Sequence, residues 1–207
     1  MKPGELIERR RFDFRVVSDM RGPVFDFEAY RSRADLERRR NPITRPEDGG
    51  QASKYRMTLR VPTLVGPGEF APETVFGVDL DVYNYPLAEP LTWVISRPIP
   101  WSPHFKEGAP ICIGTEFWVA RKGHVTLGDL VIHIAMMLNW DEKGRGPGYV
   151  GWNKEALEYH AEHYQGRSLD PDFRYPTLPV WLFGAASSGP EPSFEVIERT
   201  DDDVPEW

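Results

Sequence analysis

The chain's single thiol, Cys112, and its five imidazoles define the chemistry open to it. Cys112 lies in the stretch Pro110-Ile111-Cys112-Ile113-Gly114, preceded by Gly108-Ala109, with His104 a short way upstream. Glycine and proline on both sides favour irregular, accessible backbone over a core strand. A thiol that becomes a thiolate can attack an acyl donor, hold the acyl group, and leave when an amine attacks. Such a carrier needs oxyanion donors, a shallow setting, and a mild acid or base for the incoming amine. A strong permanent base beside the sulfur would invite hydrolysis. Imidazole can donate a hydrogen bond to an oxyanion and can exchange a proton near neutral pH. By residue type alone, a free cysteine is usually a core residue and a lone histidine a structural one, so their surroundings decide.

Other groups have plainer readings. His160 and His163 sit three apart on an expected helix, but no matching third ligand pattern accompanies them, so a solvated face is expected and no metal. The tryptophans Trp93, Trp101, Trp118, Trp140 and Trp152 suit core and loop packing. One cysteine excludes an internal disulfide and any zinc site needing two or more cysteines. The net charge of −7 gives no reason to expect nucleic acid. No apolar run has membrane-spanning length, and Met1 to Arg11 is polar and charged, unlike a signal peptide. The expected location is therefore cytoplasmic, with no membrane partner.

The elements that must position Cys112 follow from periodicity. The 207 residues suit one sizeable core plus extensions. Residues 1–25 read as an N-terminal extension with a strand-like run, Phe12 to Val17. From about Phe25 to Arg40, alternating charges around Phe27, Tyr30 and Leu36 suggest a surface helix, ended by Asn41-Pro42. Three β-rich runs follow, Tyr55 to Leu64, Thr74 to Tyr83 and Leu91 to Ile99, which suggest an antiparallel meander. Thr126 to Trp140 carries Leu127, Leu130, Val131, Ile134 and Leu138 at helical spacing, with Thr126 as cap. A Gly/Pro-rich connector, Gly144 to Gly151, precedes a second helix from Asn153 to Tyr164. The remainder, 165–207, is a Pro/Gly-rich extension with an acidic end, in which Val180 to Phe183 and Phe194 to Ile197 suggest short strands or packed segments. The fold class is α+β.

Between Tyr85 and Trp140 the motifs fall into an order of their own. Tyr85-Pro86-Leu87-Ala88-Glu89-Pro90 precedes a strand; then come Ser102-Pro103-His104, Pro110-Ile111-Cys112-Ile113, Trp118, and the helix opening Val125-Thr126-Leu127. This ordered set resembles the ubiquitin-conjugating enzyme family, with its Tyr-Pro turn, His-Pro-Asn element, Ile-Cys-Leu site, tryptophan and helix opening. The likeness extends over residues 26–164 and implies a UBC-like fold, an antiparallel meander packed by an N-terminal helix and C-terminal helices. In that family an asparagine lies about eight residues before the cysteine. Here His104 holds that place and Ser102 replaces the family histidine. This divergence is closer to bacterial relatives found in modifier-conjugation operons, several linked to phage defence.

The resemblance implies a conjugating transferase. It would accept a ubiquitin-like modifier from an activating enzyme as a thioester on Cys112 and pass it to an amine of a target protein. His104 would serve the oxyanion or the proton. Asp141 and Glu142 lie where relatives keep a gating carboxylate. Arg31, Arg33, Arg38, Arg39 and Arg40, otherwise a solvated face, would meet the activating enzyme, as a basic first helix does in relatives. No cofactor is implied, because the activating enzyme would consume the ATP. Two other classes stay open, a catalytically inactive UBC-like binding scaffold and an unrelated cysteine hydrolase. The scaffold is disfavoured by the position of the only cysteine. The hydrolase is disfavoured by the closeness of His104 to Cys112 in sequence.

Overall fold

The computed structural model describes residues 3–82, 84–114, 117–118, 124–141 and 153–183. Helix α1 spans Pro3–Asp19, strand β1 Phe25–Tyr30 and helix α2 Arg33–Arg38. After a 3-10 turn at Pro46–Gln51 come β2 (Lys54–Leu59), β3 (Thr63–Gly66), β4 (Glu69–Ala71), β5 (Thr74–Asp79) and β6 (Leu91–Val94). Helices α3 (Leu127–Leu138) and α4 (Lys154–Tyr164) follow, and a 3-10 turn at Val180–Phe183 ends the described chain. The class is α+β.

Strands β1, β2, β5 and β6 form one antiparallel sheet in that order, while β3 and β4 pair as a separate hairpin inserted into the meander. Period-two alternation gives the sheet two faces. One row across the strands is Phe27, Met57, Phe76 and Val94, which faces the core. A neighbouring row on the other face is Glu28, Arg56, Gly77 and Trp93. Gly77 is required there, since a Cβ at 77 would meet the Trp93 ring at 2.2 Å. Helices α1 and α3 supply Phe14, Val16, Val17, Leu130, Val131, Ile134 and Leu138 to the same core as the inner face. Helix α2 lies against β1 and β2 and buries Leu36.

Two expectations for the first forty residues are corrected. Phe12 to Val17 belongs to a helix: Asp13, Phe14, Val16, Val17 and Met20 are buried at helical spacing while Phe12 and Arg15 face outward. The span from Phe25 is a strand first, with Phe25, Phe27 and Ala29 inward, and only six residues of it are helical, at Arg33–Arg38. The run Tyr55 to Leu64 breaks at Arg60-Val61-Pro62 into β2 and β3. Of the two readings for Val180 to Phe183, the packed segment holds: it forms a 3-10 turn whose Trp181 and Leu182 pack against the core. The two later helices stand as expected, with Thr126 in a reciprocal capping box with Asp129 and Asn153 capping through Ala156. The connector 144–151 and Phe194 to Ile197 lie outside the described residues. No helix among the described residues is long and apolar enough to cross a membrane.

Two polar clusters fasten α1 to this framework. Buried Asp13 accepts from Arg9 Nε (2.7 Å), from the Tyr85 hydroxyl (2.6 Å) and from the Leu127 amide that opens α3 (3.1 Å). Burial pushes its carboxyl above the ordinary aspartate range, while Arg9, Tyr85 and Leu127 each pull it back. Arg9 also donates to the Val125 carbonyl. In the second cluster, Lys54 contacts Asp79 and Asp81, Ser53 donates to Asp81 (3.0 Å), and Arg10 pairs with Asp81 from α1. The segment after α4 returns to α1. Trp181 donates to Asp19 (2.7 Å), stacks under Arg15 at 4.3 Å, and meets Phe12 edge-on at 5.7 Å.

Asp13→Ala leaves Arg9, Tyr85 and the Leu127 amide without their acceptor, and is expected to destabilise the fold by about 3–5 kcal/mol in urea. A loss below about 1 kcal/mol, the scale of a surface pair, would refute the role given to Asp13. Asp81 provides a pH test. Burial raises its pKa, but the hydrogen bonds from Lys54 and Ser53 and the nearby charges outweigh that and hold it below the ordinary value. Its ionised form therefore adds stability above the unfolded-state pKa, and this is lost as pH falls through the folded-state pKa. Asp81→Asn is expected to be less stable than wild type at neutral pH, with the difference closing in acid. Urea midpoints measured from pH 7 downward decide it, and a constant difference would count against the linkage.

Candidate functional site

The cysteine segment hangs from the edge strand of the sheet. After Val94 the chain bends, with the amides of Ile95 and Ser96 both donating to the Val75 carbonyl (2.8 and 3.0 Å). The Trp101 amide then reaches the Leu64 carbonyl at 2.7 Å, and the Trp101 ring packs on Tyr159 of α4 at 5.2 Å. These contacts seat Ser102, Pro103, His104 and Phe105, all buried. A turn at Lys106–Ala109, with Gly108 at φ 70°, reverses the chain. Pro110 then pairs with Trp93 and the Ile111 amide donates to Thr92 at 2.9 Å, so the returning segment adds a short fifth line to the edge of β6.

Cys112 comes next, half-buried, with its backbone held on one side by His104. The Cys112 amide donates to the His104 carbonyl at 3.0 Å, and His104 Nδ1 lies 3.1 Å from the Cys112 carbonyl. A carbonyl only accepts, so Nδ1 carries the proton. His104 thus closes the loop it begins. Ser102 Oγ accepts from the His104 amide at 3.4 Å, which ties the Ser-Pro-His element to the same turn.

A second imidazole acts on the next residue. His133 of α3 points Nε2 at the Ile113 carbonyl, 2.8 Å away, and stacks flat on Phe117 at 3.9 Å. The motif residues upstream are joined to the same region. Trp118 Nε1 donates to the Pro86 carbonyl at 2.9 Å, its ring lies 6.2 Å from that of Tyr85, and Tyr85 reaches Asp13. Tyr85, Pro86, Trp118, His104 and Cys112, dispersed in sequence, therefore belong to one connected region.

The remaining expected residues are placed as follows. Asp141 lies just after α3, where its carboxylate accepts from the Tyr175 hydroxyl at 2.9 Å. Burial raises the Tyr175 phenol to about 12, against the pull of Asn139 and with the help of Asp141, so it remains a donor. Glu142 lies outside the described residues. The arginines, expected on the first helix, do not sit there: that helix is α1, and they occupy instead the β1–α2 junction (Arg31), α2 (Arg33, Arg38) and the turn that ends it (Arg39, Arg40). Arg33 stacks over the Trp93 ring at 3.8 Å and pairs with Glu37. Arg39, at φ 50°, is locked onto Glu28, whose carboxyl it helps hold below the ordinary range against the upward push of burial. Arg31, Arg38 and Arg40 are exposed. A groove of about 390 Å³ lined by Arg33, Trp93, Arg97, Lys106, Gly108 and Pro110 connects the outer sheet face to the cysteine segment. Of the pair expected on a solvated face, His160 is instead buried against Trp140 (4.1 Å), while His163 is exposed and stacks on Tyr159 (4.0 Å).

Sequence reasoning missed His133. It lies on the flank of an apolar helix, between Ile132 and Ile134, with no motif to mark it. The one available signal was its place one turn after Leu130, at the border of the buried stripe. No family model matches the chain, and neither a curated protein nor a solved structure matches it.

These positions make His104 a backbone clamp before anything else, which variants can test. Asparagine presents an amide N–H near the place of Nδ1, so His104→Asn is expected to keep the Cys112 carbonyl held. Discharge of an acyl group from Cys112 should then stay near the wild-type rate, whereas His104→Ala should slow it about tenfold, in the range seen for supporting-shell losses. If asparagine fails like alanine and the wild-type rate bends with pH near the histidine pKa, proton transfer is the role instead.

Proposed function

We propose that this protein is a ubiquitin-conjugating-type transferase. It accepts a ubiquitin-like modifier from an activating enzyme as a thioester on Cys112 and passes it to an amine of a target protein. The operon context implied by the sequence resemblance extends this proposal to bacterial antiphage defence. The observation that carries the reading is the setting of Cys112. It is half-buried in a non-ladder segment at a sheet edge, with its backbone fixed by His104 and the residue partly exposed. An acyl carrier needs that combination, because the thiol must meet two large partners in turn without moving. The element order supports the same reading: an N-terminal helix, an antiparallel four-stranded sheet, the cysteine segment, then helices. So does the linkage of the Tyr-Pro turn, Trp118 and the cysteine segment in one region.

Incubation with the modifier, its activating enzyme and ATP is expected to give a thiol-sensitive adduct on Cys112. Cys112→Ser is expected to trap an oxyester that resists thiols and does not turn over, since an ester is a poorer acyl donor than a thioester. Mass spectrometry of the charged protein locates the bond. Modifier bound without a covalent adduct would point to the inactive scaffold, and modifier attached elsewhere with Cys112 free would sink the assignment.

A further inference from the structure

Two imidazoles hold consecutive carbonyls, and peptide planarity turns that into a statement about an amide. We propose that the backbone N–H of Ile113 is the oxyanion donor of the Cys112 site, aimed by two positioning residues: His104, through the carbonyl of the same peptide, and His133, through the carbonyl of the next. The proposal rests on the acyl-carrier reading above.

A trans peptide places its N–H opposite its C=O. The cis bonds of the described chain are at Tyr85–Pro86 and Arg97–Pro98, so the Cys112–Ile113 and Ile113–Gly114 bonds are trans. The Cys112 carbonyl points at His104, so the Ile113 N–H points away from His104. The Ile113 carbonyl is fixed by His133, so both peptide planes flanking Ile113 are pinned. The nearby amides are otherwise committed: Ile111 to Thr92, and Cys112 to His104. Among the described residues, the Ile113 N–H has no acceptor, nor does that of Gly114. Amides without acceptors are uncommon in folded chains. Here the first of them directly follows the sulfur-bearing residue. Gly114, at φ 79°, has no atom of the described residues within 4 Å of the place a Cβ would take. His133 is itself stiffened by its stack on Phe117. A carbonyl only accepts, so Nε2 of His133 carries the proton of this bond.

In the reaction, the amine nitrogen bonds to the thioester carbonyl carbon, and the C=O electron pair moves onto oxygen. The Ile113 N–H stabilises that oxyanion. The pair then returns, the C–S bond breaks, Cys112 leaves as a thiolate, and the amine proton passes to a solvent base. His133 touches none of these atoms and acts through the Ile113 carbonyl alone.

The test needs no modifier. Full-length protein is acetylated on Cys112 by exchange with a small aryl thioester, and its discharge to free lysine is followed by mass spectrometry. Replacing Ile113 by its α-hydroxy acid through nonsense suppression deletes the N–H and keeps the side chain. Discharge is expected to slow on the order of 10²–10³-fold, the usual effect of losing one oxyanion donor. The resulting ester also weakens the Cys112 carbonyl as an acceptor, so His104→Ala, which removes that bond and leaves the N–H, is the reference. A drop no larger than that of His104→Ala overturns the proposal. His133→Ala should also slow discharge, and His133→Gln, whose Nε2–H can reach the same carbonyl, should restore it. Alkylation of Cys112 by iodoacetamide should stay constant throughout. If the ester variant does not fold, the His133 pair decides, and equal rates for alanine and glutamine overturn the proposal. A wild type that discharges no faster than the acetylated, denatured chain removes the carrier reading and the donor together. A fast wild type with an unaffected ester variant removes only the donor.

Discussion

Asp13 has no exposed side-chain surface, and a carboxylate so placed is strongly unfavourable unless every lone pair is met, which makes each donor around it obligatory. Those donors come from three distant places: Arg9 on the same helix, Tyr85 in the turn before β6, and the amide opening α3. The last is also the positive end of a helix, a natural partner for an anion. One group therefore sets the depth of α1, the seat of the Tyr-Pro turn and the starting point of α3. The cysteine region inherits its frame from that arrangement, because Tyr85 leads to Trp118 and α3 carries His133.

Within that frame, the site is made by departures from regular structure. The segment carrying Cys112 borrows two positions of edge pairing from β6 and then leaves the sheet. From there, side chains take over the job of a neighbouring strand, with His104 on one side and His133 on the other. A full strand pairing would have held the backbone equally well, but a ladder commits the amide of each bonded residue together with its carbonyl. Imidazole donors satisfy carbonyls and leave amides open, an asymmetry a ladder cannot provide. The glycines at 108 and 114 bound this stretch because their backbone angles suit few other residues.

The second half of the fold was more legible in the sequence than the first, for physical reasons. Helices α3 and α4 announce themselves through caps and a clean 3.6-residue stripe. In α1 the stripe is interrupted by a charged residue, Asp13, at a core position. What remains visible, Phe12, Phe14 and Val16, has the period of a strand. In β1 the exposed Asp26 and Glu28 alternate with Phe25, Phe27 and Ala29, and only partner strands reveal that this is a sheet edge instead of a helical surface. Cys112 and His104 were readable as a pair because a motif spaces them. That His104 grips a backbone carbonyl was not readable, since sequence carries no information on which ring nitrogen faces what. His133 was hidden because its partner is a carbonyl, a group every residue possesses.

The seat of Trp181 on α1 also bears on how the chain assembles. Its hydrogen bond to Asp19 joins residues 162 positions apart, and that of Leu127 to Asp13 spans 114. Contacts so distant in sequence form only after most of the chain has been collected, and folds rich in them reach the native state more slowly than helical bundles do. The two closures differ in depth. The Asp13 bonds are buried, whereas Trp181 lies between exposed Val180 and a partly exposed Leu182, on the rim of the molecule. Closures at the rim open at lower free energy than the global transition. The indole of Trp181 can therefore part from α1 while the core persists, and the near-ultraviolet signal of that residue reports a sub-global opening distinct from unfolding of the domain.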